Sequence, residues 1–188
     1  ILKSTLDNFG KLDILITCHG ILRDRMIFNM TEQEWDDVIS VHLKGTFSVV
    51  KPASILFRQQ RSGRIITFSS TSGLTGNTGQ ANYGAAKDGI AGFTRVVARD
   101  MGRYGVTVNS IAPSADTRMI QGVPEEAHQL RAARGIGGIF TLRGTAEHIA
   151  PFTVWLASAQ SAHVNGHEIR LKEGLVAVLN DPEQEKPN

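Results

Sequence analysis

Within the stretch QANYGAAKDG at 80–89, Tyr83 and Lys87 stand one helical turn apart. Residues at i and i+4 share a helix face, so this spacing brings a phenol and an ammonium together. A neighbouring cation favours the phenolate and lowers its pKa from the usual value of about 10. A phenol tuned in this way exchanges a proton with a carbonyl or carbinol oxygen near neutral pH. Ser70, at the end of the apolar run GRIITFSS (63–70), offers a hydroxyl to hold the same oxygen. The competing reading is a surface Tyr/Lys pair on an amphipathic helix, with no chemistry attached. Proton transfer at a C–O centre becomes a redox reaction only with a hydride partner. Cys18 and His19 are adjacent, but two ligands without a partner pair are too few for a metal site, and none is expected.

The elements that must position these groups follow from hydrophobic patterning. ILKSTLDNFG (1–10) reads as the end of a helix stopped by Gly10. KLDILITC (11–18), GRIITFSS (63–70), GVTVNSIA (105–112) and GHEIRL (166–171) read as buried strands. Thr31 and Glu34 form a capping-box pattern that opens a long helix running towards Gln60, with Pro52 as its point of bending. Further helices are expected over 81–102 and 145–158, with a glycine-rich loop GLTGNTGQ at 73–80 and irregular chain at 113–140. Apolar strands alternating with helices predict an α/β fold, a parallel sheet covered on both faces. Right-handed crossovers place every strand's C-terminal end on one edge, where such sheets bind ligands. Ser69, Ser70 and the segment APSADT (112–117) belong to that edge, and Tyr83 opens a helix from it. A surface Tyr/Lys pair does not predict this convergence.

The bulk properties narrow the function classes. The chain has 188 residues, 41% hydrophobic and 20% charged, with a net charge of +2 and no Lys/Arg run. Nucleic-acid and membrane-surface roles therefore lack electrostatic support. Cys18 is the single cysteine, which fits a reducing compartment, and a cytoplasmic location is expected. No apolar run approaches a membrane span. One domain is expected over 1–179, followed by a polar, disordered tail over 180–188.

Ser70, Tyr83 and Lys87, with GNTGQANY before the lysine and VTVNSIAPSADT after it, resemble the short-chain dehydrogenase/reductase family. The resemblance runs from Lys11 to about Leu171. It implies a doubly wound, Rossmann-like fold and a nicotinamide cofactor, NAD or NADP. It implies that Tyr83 is the general acid/base, that Ser70 orients the substrate oxygen, and that Lys87 holds the nicotinamide ribose and depresses the Tyr83 pKa. Gly20, Asn109, Pro113, Ser114 and Thr117 fall on segments that flank the cofactor in the family, with Ser114 in place of the usual glycine. His42 stands where most members carry an asparagine whose backbone carbonyl holds a relay water. GILRDRMIFNMTEQEWDDVISVHLKGTF is similar to 3-oxoacyl thioester reductases and to the (3R)-hydroxyacyl-CoA dehydrogenase domains of multifunctional β-oxidation enzymes. An NAD(P)-dependent oxidoreductase of fatty acid metabolism, acting on acyl thioesters, is the reading this implies. A redox-inactive nucleotide-binding relative and an inactive fragment are the alternatives.

Thr17-Cys18-His19-Gly20 replaces the family's Asn-Asn-Ala-Gly, and the glycine-rich turn with its first strands is missing from these residues. The 188 residues alone are therefore expected to bind no dinucleotide tightly. Gly73, Gly76 and Gly79 lack the spacing of a phosphate cradle and read as a substrate-side loop. Small residues from Gly84 to Gly92, with Phe93, Val96 and Val97, point to a homodimer or homotetramer built through the 31–60 and 81–102 helices. Arg118, Arg131 and Arg134 are either solvated charges or contacts for the phosphates of a thioester substrate.

Overall fold

A computed structural model describes residues 1–115 and 144–179. Thr117, Arg118, Arg131, Arg134 and the 180–188 tail lie outside the described residues.

Helix α1 (Leu2–Phe9) ends at Gly10, whose φ of 73° takes the left-handed conformation that glycine adopts without cost. Strand β1 (Ile14–Thr17) leads through a loop to α2 (Glu32–Ile39), which opens on the expected Thr31/Glu34 capping box. The predicted single helix is interrupted: a π-helical turn over Ser40–Lys44 separates α2 from α3 (Gly45–Gln60). The irregularity thus falls at residues 40–44, and Pro52 lies inside an unbroken α3. Strand β2 (Gly63–Phe68) is followed by a short helix, α4 (Thr71–Thr75), which runs into the expected glycine-rich loop. Helix α5 (Ala81–Gly102) and strand β3 (Val106–Ser114) complete the central unit. After the undescribed segment come a 3-10 turn (Ala146–His148), helix α6 (Ala150–Ala157), and strands β4 (Glu168–Lys172) and β5 (Leu175–Leu179).

The five strands form one sheet in the order β1-β2-β3-β4-β5. The first four are parallel, as predicted, but β5 runs antiparallel to β4 and makes the sheet mixed. Strand β5 has no counterpart in the sequence reading. Its turn is carried by Glu173 (φ 47°) and Gly174 (φ 83°), and consecutive positive φ values are the geometry of a two-residue hairpin.

Two cores sandwich the sheet. On one face Val50, Ala53 and Phe57 of α3 and Ala98 and Met101 of α5 pack on Ile65, Val106 and Val108. On the other, Ile149 and Leu156 pack on Ile66, Ile111, Ile169 and Leu171. The alternation along β2, with Ile65 on one face and Ile66 on the other, is the strand period of two. Phe57 is fully buried, worth about 1.5–3 kcal/mol of transfer free energy. It is seated against Gly63, where an added Cβ would come within 2.4 Å of the ring. At the other margin β1 pairs only with β2 among the described residues, and Ile14 and Ile16 are 41% and 43% exposed. This doubly wound, Rossmann-like arrangement leaves the C-terminal ends of β1, β2 and β3 on one edge.

Candidate active site

The edge is organised by the first two turns of α5. Asn82 is fully buried, and its Nδ2 donates to the carbonyls of Arg23 and Glu34, each at 3.0 Å. Its Oδ1 accepts the Tyr83 N–H at 2.7 Å. One side chain thus ties the loop after β1, helix α2 and the start of α5 together. Gln80 adds a second tie, donating to Asp24 at 2.9 Å. Arg25 pairs with Glu34 at 2.7 Å, and this contact with the capping bonds holds the Glu34 carboxyl down to about 2. Sequence reasoning missed Asn82 and Gln80, because nothing in their spacing signals contacts to residues more than 40 positions away.

Lys87 is buried, and its Nζ donates to the Phe68 carbonyl at the end of β2, at 2.7 Å. The ammonium lies 5.6 Å from the centre of the Tyr83 ring, so the predicted one-turn pairing exists. Ser70 caps α4 by accepting the Ser72 N–H at 3.1 Å, and its hydroxyl also hydrogen-bonds the Tyr83 phenol. The imidazole of His42 meets the Tyr83 ring edge-on, with centroids 5.1 Å apart and planes at 89°. The π turn is what aims it there; such one-turn widenings of a helix recur at functional sites. His42 Nε2 lies 3.0 Å from the Ile21 nitrogen and 2.8 Å from its oxygen, while Nδ1 is buried and has no partner among the described residues. The His42 carbonyl accepts the Gly45 N–H. Gly20 fits beneath the imidazole as no other residue would, since a Cβ there would come within 2.2 Å of the ring. His19 Nε2 lies 2.9 Å from the Val41 carbonyl.

Ser70, Tyr83, Lys87, His42 and Gly20 are therefore brought together. Pro113 and Ser114 close β3 on the same edge, half-buried and in register with Leu171 and Lys172. Asn109 lies deeper, donating to the Val164 carbonyl at 2.9 Å and accepting the His167 N–H at 3.1 Å, a structural tie between β3 and the start of β4.

The electrostatics correct one expectation. The Tyr83 pKa is raised, not lowered: burial of the phenol dominates, the Ser70 hydrogen bond opposes it, and the Asp24 charge adds to it. Lys87 points its ammonium at a backbone carbonyl, and the cost of desolvating a phenolate wins. Burial pulls Lys87 itself down to about 8, against the attraction of Cys18 and Glu168. Burial also pulls His42 down to about 4, opposed by its Ile21 contact and reinforced by Lys87 and His19. His42 is thus a neutral imidazole at physiological pH.

That shift has a measurable consequence. Between about pH 6.5 and 4 the unfolded chain carries a proton on His42 that the folded chain does not, so stability falls on acidification through this window. The loss is on the order of 3 kcal/mol. His42→Asn is expected to remove that part of the acid sensitivity in urea unfolding, and equal losses in both proteins would show that the imidazole is not held neutral.

A family model described as enoyl-(acyl carrier protein) reductase matches residues 1–176. The chain belongs to the short-chain dehydrogenase/reductase family. Among curated relatives, the peroxisomal hydratase-dehydrogenase-epimerase of Neurospora crassa is 45% identical over 130 residues, covering 69% of this chain and 14% of that protein. The 3-oxoacyl-[acyl-carrier-protein] reductase FabG of Thermotoga maritima is 36% identical over 177 residues, 94% of this chain and 71% of that one. The hydroxyacyl-CoA dehydrogenase ChsB1 of Mycobacterium tuberculosis is 40% identical over 185 residues, 94% of this chain and 56% of that one. A solved short chain dehydrogenase from Mycobacterium avium superposes with a TM-score of 0.80 at 39% identity, covering 99% of this chain and 60% of that one. The chain thus spans from 14% to 71% of the length of these proteins. Among the described residues no helix is long and apolar enough to cross a membrane.

Proposed function

We propose that this chain carries the proton-transfer site of an NAD(P)-dependent oxidoreductase that interconverts 3-oxoacyl and 3-hydroxyacyl thioesters. The observation that carries the reading is the convergence of Ser70, Tyr83 and Lys87 at one sheet edge, with Lys87 grounded on the Phe68 carbonyl. The names of the Thermotoga and Mycobacterium tuberculosis relatives supply the thioester class.

The edge fits the nicotinamide half of a dinucleotide. Among the described residues Lys87 makes one hydrogen bond and keeps donors in reserve, and the buried Thr17 Oγ1 at the end of β1 has no partner. In this reading Lys87 and Tyr83 would hold the ribose hydroxyls, Pro113 and Ser114 would lie beside the nicotinamide, and Gly20 would lie towards the adenosine half; Thr117 lies outside the described residues. When bound, the nicotinamide supplies or accepts the hydride. Ser70 holds the substrate oxygen, and Tyr83 gives it a proton in reduction and takes one in oxidation. The raised pKa of Tyr83 keeps the phenol protonated in the resting site, as a proton donor must be. The His42 backbone carbonyl is the port for proton resupply, and the imidazole fixes the turn that presents it. Exposed Trp35, Phe47, Ile55 and Val96 on α2, α3 and α5 support self-association through these helices.

The test is the absorbance of NADH and NADPH in the presence of the full gene product and a 3-oxoacyl-CoA. Thioester-dependent oxidation of at least one nucleotide is expected. A folded protein that binds nucleotide and oxidises neither would favour the redox-inactive relative.

A further inference from the structure

Glu168, the first residue of β4, is a carboxyl only 5% exposed. Its neighbours Ile169 and Leu171 face α6, so the strand period turns Glu168 towards α5. Ser110 is its register partner on β3, and Ser69 follows β2 on the same face. The Ser69 hydroxyl donates a hydrogen bond to Glu168 Oε1. The Ser110 hydroxyl, itself fully buried, also hydrogen-bonds the Glu168 carboxyl. The charged groups that act on this carboxyl are Arg95 and Asp88, both of α5. Lys87 sits on the Phe68 carbonyl, one residue before Ser69, where an ionised Glu168 attracts its ammonium. Burial raises the Glu168 carboxyl and works against that ionisation. Arg170, two residues along β4, has a buried Nε without a partner.

A carboxyl in such a place costs several kcal/mol unless its oxygens are satisfied. Here it sits under the working end of β2. Phe68 offers its carbonyl to Lys87, Ser69 is bound to Glu168, and Ser70 reaches the phenol. We propose that Glu168 is a positioning residue for the Ser70–Tyr83–Lys87 site: its carboxyl clamps the Ser69 hydroxyl, fixing the strand end that carries Phe68 and Ser70, and its negative charge acts on the Lys87 ammonium. The inference rests on the reading of Tyr83 and Lys87 as the working groups. Its test reads Lys87 and the strand end directly, so it stands or falls separately from turnover.

The experiment is NMR on the full gene product with labelled lysine side chains and backbone amides, Lys87 being assigned with Lys87→Arg. Glu168→Gln keeps the shape and removes the charge. It is expected to lower the Lys87 protonation constant by about 3-fold or more, because an attracting charge is gone. Ser69→Ala breaks the clamp and leaves the carboxyl, and is expected to speed amide exchange at Ser69 and Ser70 by about 10-fold through local opening. An unchanged Lys87 titration in folded Glu168→Gln, or unchanged exchange in Ser69→Ala, overturns the proposal. Should Glu168→Gln not fold, the wild-type chain decides. The Glu168 carboxyl and Lys87 signals are expected to respond to each other's titration, and independent titrations overturn the coupling.

Discussion

Tyr83→Phe is expected to lower turnover of the full gene product by about 10³-fold, within the span general acid–base groups contribute. The substitution keeps the ring that packs edge-on against His42 and that lies beside the Lys87 ammonium. It removes only the hydroxyl that bonds Ser70 and that the proposed function makes the proton donor. Because the packing survives, KM and nucleotide affinity should change far less than kcat, the signature of an interaction made in the transition state. Steady-state kinetics with a 3-oxoacyl-CoA check this. A variant retaining more than a few per cent of the wild-type kcat would remove Tyr83 from the chemistry and leave the phenol as packing.

Lys87→Met should have the second-largest effect, and its sign is fixed by burial. The folded chain lets Lys87 go at about pH 8, whereas the unfolded chain holds that proton to about 10.4. In the window between, the unfolded state binds more protons, so wild-type stability rises with pH. The gain is on the order of 3 kcal/mol across the window. Below it, the buried ammonium is a standing cost that the Phe68 carbonyl offsets in part. Lys87→Met cannot titrate, and it leaves that carbonyl without its donor at about 1–3 kcal/mol. Urea unfolding of both proteins at pH values on either side of the window is the measurement. Wild-type stability should climb relative to the variant as pH rises, and parallel curves would mean that Lys87 is solvated and not held in the site. In the full gene product the same substitution is expected to weaken nucleotide binding, since it deletes the donors held in reserve.

The sequence by itself determined the elements and their shared edge. The apolar run GRIITFSS buries on both faces only as a central strand, and the Thr31/Glu34 pattern could cap only a helix start. KLDILITC forms a strand but lies at the sheet margin, with Ile14 and Ile16 exposed, not buried as expected. The one-turn spacing of Tyr83 and Lys87 and the position of Ser70 at a strand end followed from the same short-range rules. These features depend on residues within a turn or a strand of one another. What the tertiary structure decided depends on residues far apart in the chain. Strand β5 became a strand because a two-residue turn folded Leu175–Leu179 back on β4. The long helix splits at a π turn that carries His42, whose imidazole packs over Gly20, a residue remote from it in the chain. Asn82 gained its role from carbonyls of Arg23 and Glu34, and Glu168 from a serine on another strand. The direction of the Tyr83 pKa turned on burial, which spacing does not report: one-turn proximity predicts an attracted phenolate, but the packed edge excludes the water that would stabilise one.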